Sequence, residues 1–222
     1  MPIKMPIKTI IFDMDGVLFD TEPLSVRAWD YAGEKMGFGP CGYMSLRTLG
    51  MNKPAIMKVW AEEFGDRFSP DELDRHAHAF FDRYYAEHKT PEKPGLHQAL
   101  DFFKSNGYKI GLASSSRRET VLKHLADSEI TGYFDVIVSG DMIAASKPAP
   151  DIYLKACKLL GEPPENCYAV EDSKNGIVSA WQAGCRVVFI PDLWPGDEET
   201  ERLPAVKVDD LLGLVKWLKS EK

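Results

Sequence analysis

The 222-residue sequence lacks several features that would place a protein in a functional class. Its four cysteines form no CxxC pair, no cluster of Lys and Arg stands out, and no apolar stretch approaches the length of a membrane span. The N-terminus also lacks the long apolar stretch of a signal peptide. These absences argue against a disulfide framework, a nucleic-acid-binding surface and a transmembrane helix. We therefore expect a cytoplasmic monomer with no nucleic-acid or membrane partner.

Cysteine and histidine show no metal-ligand pattern. The cysteines are widely spaced and three lie in or beside apolar periodic segments, so we expect buried, reduced thiols. The histidines share no metal-ligand spacing on one predicted element, and we expect structural roles for all five. These residues are Cys41, Cys157, Cys167, Cys185, His76, His78, His88, His97 and His124.

Five short apolar segments share one design, in which residues such as Ile and Val lead into small, polar or acidic residues. Continuous apolar runs of this kind are typical of strands buried on both faces of a parallel sheet. Helical patterns fill most of the gaps between them, which predicts a doubly wound, Rossmann-like α/β fold. The five segments are TIIFD, KIGLASSS, DVIVSGD, YAVEDS and RVVFIPD.

The alternation of strands and helices is interrupted once, after the first strand. Residues 20–92 are mostly helical in pattern, and a Pro- and Gly-containing stretch then leads back to the sheet. We predict a catalytic core of residues 7–19 and 93–222 with an inserted helical cap domain, residues 20–92. Ser173 and Asp209 are expected N-caps of two core helices. The repeated MPIK at the N-terminus is interpreted as a duplicated start, and residues 1–6 are left out of the fold prediction.

The polar residues at the strand ends form the candidate site. In open α/β sheets, ligands bind in the crevice outside the carboxyl ends of the strands. Four carboxylates crowded there would repel one another, and a hard divalent cation such as Mg²⁺ would relieve that repulsion. Hydroxyls and one ammonium group could bind phosphate beside it. This combination indicates metal-assisted phosphoryl transfer through an Asp nucleophile. The residues are Asp13, Asp15, Ser114, Lys147, Glu171 and Asp172.

Four motifs carry a resemblance to a known family. DMDGVLFDTE resembles the first motif of the haloacid dehalogenase superfamily, GLASSS its second, SKPAPDIY its third and VEDSKNG its fourth. Their order and spacing match across essentially the whole chain. The helical insertion after the first motif is similar to the cap of the β-phosphoglucomutase-like subfamily. The resemblance implies a Mg²⁺-dependent phosphatase that acts on a small phosphorylated metabolite, such as a sugar phosphate.

The resemblance also implies roles for individual residues. Asp13 is expected to be the nucleophile, and Asp15 the general acid and base, whose backbone carbonyl would also bind the metal. Phosphate contacts are expected from Ser114, Ser115 and Lys147. The expected metal ligands are Asp13, Asp15 and Asp172, together with Glu171 either directly or through water. Substrate contacts are expected from Asn52, Lys53, Ser116 and Arg117.

Other interpretations of the same residues remain. The Asp-Gly turn could be a solvated strand end, and the serines could simply cap a helix. Lys53 could bind a distal phosphate or be a solvated lysine. Mutase relatives tend to have a His at the position of Ser25, and its absence favours hydrolysis over a hexose-phosphate mutase. A third hypothesis is a non-enzymatic receiver-like phosphoacceptor, although such domains have no helical insertion after the first strand.

Overall fold

The computed structural model describes residues 7–220, so the duplicated start predicted at residues 1–6 lies outside the described part of the chain. Within it, six strands form one parallel sheet in the order β3-β2-β1-β4-β5-β6. The strands are β1 (Thr9–Phe12), β2 (Lys109–Ser114), β3 (Val136–Ser139), β4 (Cys167–Glu171), β5 (Arg186–Phe189) and β6 (Val206–Lys207). All five predicted strands are present, and the doubly wound fold is confirmed.

Nine α-helices are present in the described residues, with four short 3₁₀ turns between elements. No helix between residues 7 and 220 is long and apolar enough to cross a membrane. The helices are α1 (Glu22–Lys35), α2 (Met44–Thr48), α3 (Lys53–Phe64), α4 (Pro70–Glu87), α5 (Leu96–Ser105), α6 (Arg118–Asp127), α7 (Asp151–Leu160), α8 (Lys174–Ala183) and α9 (Leu211–Ser220).

The sheet is covered by helices on both faces. One face packs against α5, α6 and α9, and the other packs against α7 and α8. Along β1 the buried side chains alternate, with Ile10 and Phe12 in the first layer and Ile11 in the second. Both faces of β1 are therefore apolar, which explains the continuous apolar run in its sequence.

Helices α1 to α4 have a separate apolar cluster. Its buried centre contains Trp60, Leu73 and Met44, and further aromatic side chains pack around it. The indole of Trp60 lies 5.5 Å from that of Trp29, centroid to centroid. A cluster distinct from those of the sheet is consistent with the predicted cap, although the domain boundaries remain a prediction.

Two short chain segments connect this helical region to the sheet, and they run side by side. The amide of Asp20 donates to the carbonyl of Pro91, and the amide of Lys93 donates to the carbonyl of Leu18. The Lys93 ammonium also contacts the carboxylates of Asp20, at 2.7 Å, and Asp192, at 2.6 Å. These bonds hold the start of α1 close to the carboxyl ends of the strands.

Of the two predicted N-caps, one is confirmed and one is wrong. The hydroxyl of Ser173 accepts a hydrogen bond from the Gly176 amide, as expected of an N-cap. The prediction for Asp209 is wrong by one residue, because the carboxylate that accepts from the Gly213 amide belongs to Asp210. The two adjacent aspartates offer the same capping group, so the choice between them depends only on the residue at which α9 begins.

Candidate active site

The carboxyl ends of β1 and β4 bring the predicted acidic residues together. These strands are neighbours, and Phe12 is in register with Val170, so Asp13 and Glu171 follow at nearly the same level. The amide of Asp13 continues the ladder by donating to the carbonyl of Val170 at 2.9 Å. This is the point where the strand order reverses, the usual ligand site of an open α/β sheet.

Lys147 lies at the centre of this cluster and is fully buried. Its ammonium donates to Asp13 Oδ1 at 2.8 Å, to Glu171 Oε1 at 2.7 Å and to the carbonyl oxygen of Ala113 at 3.1 Å. All three ammonium hydrogens therefore have an acceptor. Burial acts to lower the pKa of Lys147, but the carboxylates of Asp13 and Glu171 outweigh it and raise the pKa above its usual range. The group is a permanent cation.

Burial acts on the pKa of Asp13 in the opposite direction to its action on Lys147, because here it disfavours a negative charge. The side chain is almost completely enclosed, and this desolvation raises the pKa of Asp13 to about 7, with Lys147 opposing the rise and Glu171 adding to it. Asp13 is therefore only partly ionised at neutral pH, and additional positive charge would favour its carboxylate form.

Glu171 is held by several groups. Its Oε1 accepts from both Lys147 and the hydroxyl of Tyr153. Its Oε2 lies 3.4 Å from the hydroxyl of Ser173, and a Cβ added at Gly176 would lie 1.9 Å from this oxygen. These contacts place Glu171 chiefly as the support of Lys147, and the metal-ligand role stays a prediction.

Asp172 provides the clearest test of whether a metal fits. Its side chain is buried, and Oδ2 has no hydrogen-bond partner among residues 7–220. One oxygen from each of Asp13, Glu171 and Asp172 lies within 4.8 Å of the other two. Burial, followed by the charges of Asp13 and Glu171, raises the pKa of Asp172 well above its usual range. An uncompensated cluster of hard oxygen donors fits a cation such as Mg²⁺.

The turn after β1 packs tightly against this cluster. Gly16 has a φ of +77°, and a Cβ at that position would lie 2.2 Å from Asp172 Oδ2. Only glycine satisfies both the conformation and the close approach. The turn places the Asp15 carboxylate between two hydroxyls: Thr21 donates to Oδ1 at 2.7 Å and Ser116 donates to Oδ2 at 2.9 Å. Asp15 therefore sits beside Asp13 in a fixed orientation.

The three serines after β2 differ in what they contact. Ser114 is buried, and its hydroxyl accepts from the Ser116 amide at 3.1 Å. The hydroxyl of Ser115 donates to the carbonyl of Gly50 at 2.8 Å, so it contacts the helical region. The hydroxyl of Ser116 contacts Asp15, as described above. The phosphate contacts predicted for Ser114 and Ser115 stay predictions.

A cavity of about 1140 Å³ separates the strand ends from helices α1, α3 and α4. Asn52, Lys53 and Arg117 all line it, as predicted for substrate contacts. However, Asn52 is the N-cap of α3, and Lys53 forms an ion pair with Asp74. Of the two cations, only Lys53 has an ion pair within the described residues, and Arg117 has none there.

The loop at residues 49–52 closes one side of this cavity. Asn175 donates to the carbonyl of Leu49 at 2.7 Å, and Ser115 donates to that of Gly50. A Cβ at Gly50 would lie 2.5 Å from the hydroxyl of Ser173. The helical region therefore rests directly on the strand ends, in a closed arrangement.

Three residues of the site had no predicted role. Glu22, in the first turn of α1, lines the cavity, and burial together with Asp15 and Asp192 raises its pKa to about 8. Tyr153 supports Glu171 from α7. His124, expected to be structural, lies in the cavity wall. Glu22 and Tyr153 stand inside the quoted motifs DMDGVLFDTE and SKPAPDIY, which was the available signal; His124 had none.

The chain resembles known proteins along most of its length. The family model for haloacid dehalogenase-like hydrolases matches residues 7–184. The chain is 32% identical over 213 residues to the phosphorylated carbohydrates phosphatase of Thermotoga maritima, covering 94% of this chain and 98% of that protein. It is 32% identical over 193 residues to hexitol phosphatase B of Escherichia coli K12, covering 86% of each. The crystal structure of a β-phosphoglucomutase from Clostridium difficile superposes with a TM-score of 0.77 at 28% identity, covering 97% of this chain and 98% of that one.

Proposed function

Because the chain belongs to the haloacid dehalogenase-like hydrolase family, we propose that it hydrolyses a small phosphomonoester through an aspartyl-phosphate intermediate. The observation that carries the proposal is the buried cluster at the ends of β1 and β4. Asp13 there touches the permanent cation Lys147, and Asp172 adds a carboxylate oxygen without a partner. A nucleophile, a fixed positive charge and an open oxygen ligand are what metal-assisted attack on phosphorus requires.

The chain is an enzyme of the phosphoric monoester hydrolase class, in the β-phosphoglucomutase-like subfamily. The names of two relatives refer to phosphorylated carbohydrates and to hexitol phosphates. These names support a sugar phosphate or sugar-alcohol phosphate as the substrate class of this chain. The partner is then a small phosphorylated metabolite.

In the first step, a carboxylate oxygen of Asp13 attacks the phosphorus atom. The bond between phosphorus and the leaving oxygen breaks, and Asp15, as the carboxylic acid, donates its proton to that oxygen. Lys147 offsets charge next to Asp13 throughout, because its ammonium is fixed by three acceptors. Such preorganised charge needs no reorientation during the reaction.

In the second step, Asp15 has become a carboxylate and takes a proton from water. The water oxygen attacks phosphorus, the bond to Asp13 breaks, and inorganic phosphate leaves with the Asp13 carboxylate regenerated. The hydroxyls of Thr21 and Ser116 hold Asp15 in one orientation for both proton transfers. A positioned general acid and base contributes on the order of 10²- to 10⁴-fold in rate.

The residues that would hold Mg²⁺ are Asp13, Asp172 and the backbone carbonyl of Asp15, with Glu171 directly or through water. The bound ion would supply positive charge that keeps these carboxylates ionised and offsets the charge on the phosphoryl oxygens. Because the pKa of Asp13 is raised to about 7, that charge would increase the ionised fraction of the nucleophile near pH 7.

A hexose-phosphate mutase is the second candidate, favoured by the structural similarity to a β-phosphoglucomutase. The residue that argues against it is Ser25, which lines the cavity where mutase relatives tend to have His. Its hydroxyl lies 3.3 Å from the Thr21 carbonyl and cannot act as an imidazole would. Without that group, nothing at this position delays attack by water on the phosphorylated Asp13, so hydrolysis is the preferred function.

The test is phosphate release from a panel of phosphomonoesters in the presence of Mg²⁺. Wild type should release phosphate, and Asp13→Asn should lose on the order of 10⁴- to 10⁶-fold in kcat, the range seen when a nucleophile is removed. Asp101→Asn, on the exposed side of α5, is the matched control and should keep wild-type activity. Equal rates for wild type and Asp13→Asn on every substrate would contradict the proposal.

Two further measurements separate the alternatives. Excess EDTA should abolish turnover and added Mg²⁺ should restore it, whereas Asp172→Asn should need far more Mg²⁺ for half-maximal rate. With β-glucose 1-phosphate and a bisphosphate activator, phosphorus NMR should show free phosphate. Accumulation of the 6-phosphate with little free phosphate would instead identify a mutase. A long-lived aspartyl phosphate without turnover would identify a phosphoacceptor.

A further inference from the structure

His124 is a buried polar side chain in the cavity wall that the steps above do not use. It lies on α6 and is only 4% exposed, yet it lines the cavity between the strand ends and the helical region. Its Nδ1 is enclosed and has no hydrogen-bond partner, and no partner of Nε2 is found among residues 7–220 either. A buried histidine normally has a partner for at least one ring nitrogen.

Two aromatic rings fix the position of this imidazole. The ring of Phe19 lies 5.6 Å away, centroid to centroid, and that of Tyr85 lies 5.5 Å away. Phe19 follows the catalytic turn, and Tyr85 belongs to α4 in the helical region. The imidazole therefore spans the junction of the two regions, where a side chain swing would collide with one ring or the other.

The surroundings keep the imidazole neutral. Burial lowers the pKa of His124, and the lowering exceeds the opposing influence of the Asp15 carboxylate. The neutral ring has one nitrogen that donates and one that accepts. Asp15 and His124 line the same cavity, and the ring of Phe19, whose backbone forms a bridge with that of Asp15, lies against the imidazole. A leaving alcohol whose oxygen is protonated by Asp15 must therefore extend past this part of the wall.

We propose that His124 is a specificity-determining residue that hydrogen-bonds a hydroxyl group of the leaving alcohol. The inference rests on the proposed phosphatase function and deepens it, because it assigns one residue of this chain to the recognition of the hydroxyl groups of a sugar or sugar-alcohol phosphate. A hydroxyl suits a neutral imidazole, since it can donate to one nitrogen or accept from the other. A second phosphate group suits the helical part of the wall less, since Lys53, which lines it, is already paired with Asp74.

Cavity shape supports the same substrate class. The volume of about 1140 Å³ leaves room for a leaving group well beyond the phosphate. The wall of the cavity also contains apolar side chains, among them Trp29, Leu73 and Phe81. A polar partner fixed in such a wall orients a ligand and gives selectivity, whereas apolar contacts only give affinity.

The experiment compares substrates with and without hydroxyls in the same enzyme preparations. The probes are glycerol 3-phosphate, erythritol 4-phosphate and sorbitol 6-phosphate, with ethyl phosphate as the hydroxyl-free reference. His124→Phe should lose about tenfold in kcat/KM on at least one polyol phosphate, the value of one lost hydrogen bond. It should change less than twofold on ethyl phosphate. His124→Gln, whose amide nitrogen can replace Nε2, should stay within threefold of wild type on all probes.

The matched control is His97→Phe, because His97 is exposed on α5 and contacts Glu92 instead of the cavity. His97→Phe should leave kcat/KM unchanged on the polyol phosphates and on ethyl phosphate. Equal losses by His124→Phe on polyol phosphates and ethyl phosphate would overturn the proposal and indicate a structural role, as would no loss on any probe. A wild type that prefers ethyl phosphate would also overturn it while the phosphatase function stands. Failure of wild type on all probes and on the wider panel would instead refute the phosphatase function.

Discussion

The strand ends and the helical region lie on opposite sides of one cavity, and their ion pairs differ in burial. At the strand ends, Lys147 is fully buried and donates hydrogen bonds to Asp13, to Glu171 and to a backbone carbonyl. Across the cavity, Lys53 and Asp74 form an ion pair with about a third of each side chain exposed. Buried charges cannot lose a partner without a large penalty, whereas exposed pairs contribute little.

This difference in burial separates the residues that carry out the reaction from those that select the substrate. Groups that take part in bond breaking need fixed positions and controlled protonation, which a buried network provides. Groups that choose among substrates can be exchanged at small cost when they are exposed. We therefore expect substitutions at the strand ends to change kcat and stability, and substitutions in the helical wall to change mainly KM.

The largest effect is expected from Lys147→Met. The variant leaves Asp13 and Glu171 buried without their cation, and removal of one partner of a buried ion pair costs about 3–5 kcal/mol. Urea unfolding at pH 7 should show that loss, and phosphate release should fall to background. Lys123→Met, which removes an exposed pair with Asp127 on α6, should cost about 1 kcal/mol or less. Similar losses in both variants would mean that burial does not distinguish the two regions.

Asp15→Asn should have the next largest effect, this time on rate alone. The amide cannot carry the proton to the leaving oxygen or take one from water, so kcat should fall about 10²- to 10⁴-fold. Stability should change little, because Asn keeps the size of the side chain and can still accept from Thr21 or Ser116. Steady-state kinetics measure the first effect and thermal unfolding the second. Asp20→Asn is the control, because Asp20 pairs with Lys93 and takes no part in the chemistry. A kcat within tenfold of wild type for Asp15→Asn would contradict the role assigned to Asp15.

Glu22 lies at the boundary between the regions and predicts a pH dependence. Its pKa is raised from 4.5 to about 8, so the folded protein binds its proton more tightly than the unfolded chain does. Between these values the folded state holds more protons, and stability therefore falls as pH rises from about 4.5 to about 8. Glu22→Gln removes this group and should flatten the profile in metal-free buffer.

Urea midpoints at pH 5, 6, 7 and 8 in EDTA test this prediction. Glu119→Gln is the matched control, since Glu119 lines the same cavity but is exposed. It should retain the wild-type slope. If the urea midpoint of Glu22→Gln fell as steeply with pH as that of wild type, the pH dependence would come from the strand-end carboxylates alone. Glu22 would then behave like the exposed groups of the helical wall.

The same division explains what could be predicted from the sequence. Asp13 and Asp172 directly follow β1 and β4, and Ser114 is the last residue of β2. A parallel sheet brings the carboxyl ends of its strands to one edge whatever the loops do. Their grouping therefore follows from the strand pattern. β6 was missed because it has only two residues, Val206 and Lys207, and neither is fully buried.

Residues on helices were harder to place. Which side of α6 faces the cavity depends on how α6 packs against the sheet and on where α4 lies, and neither is encoded in the local pattern around His124. The state of Lys53 depends on Asp74, which is 21 residues away on another helix. Charge pairs between two helices require their relative orientation, so the sequence left Lys53 with two interpretations.

The smallest effect is expected from Lys53→Ala, and it tests the helical wall directly. Because the pair with Asp74 is partly exposed, its loss should cost about 0–1 kcal/mol in the free energy of unfolding. On monophosphates, kcat should stay unchanged and KM should move by less than tenfold.

Asp74→Asn is the informative partner, because it frees the Lys53 ammonium without removing it. If the paired state is what prevents Lys53 from binding a distal phosphate, Asp74→Asn should lower the KM for a sugar bisphosphate while Lys53→Ala does not, and the double variant should lose that gain. A large fall in kcat from Lys53→Ala would show instead that the wall takes part in the chemistry, and the contrast between the two regions would no longer hold.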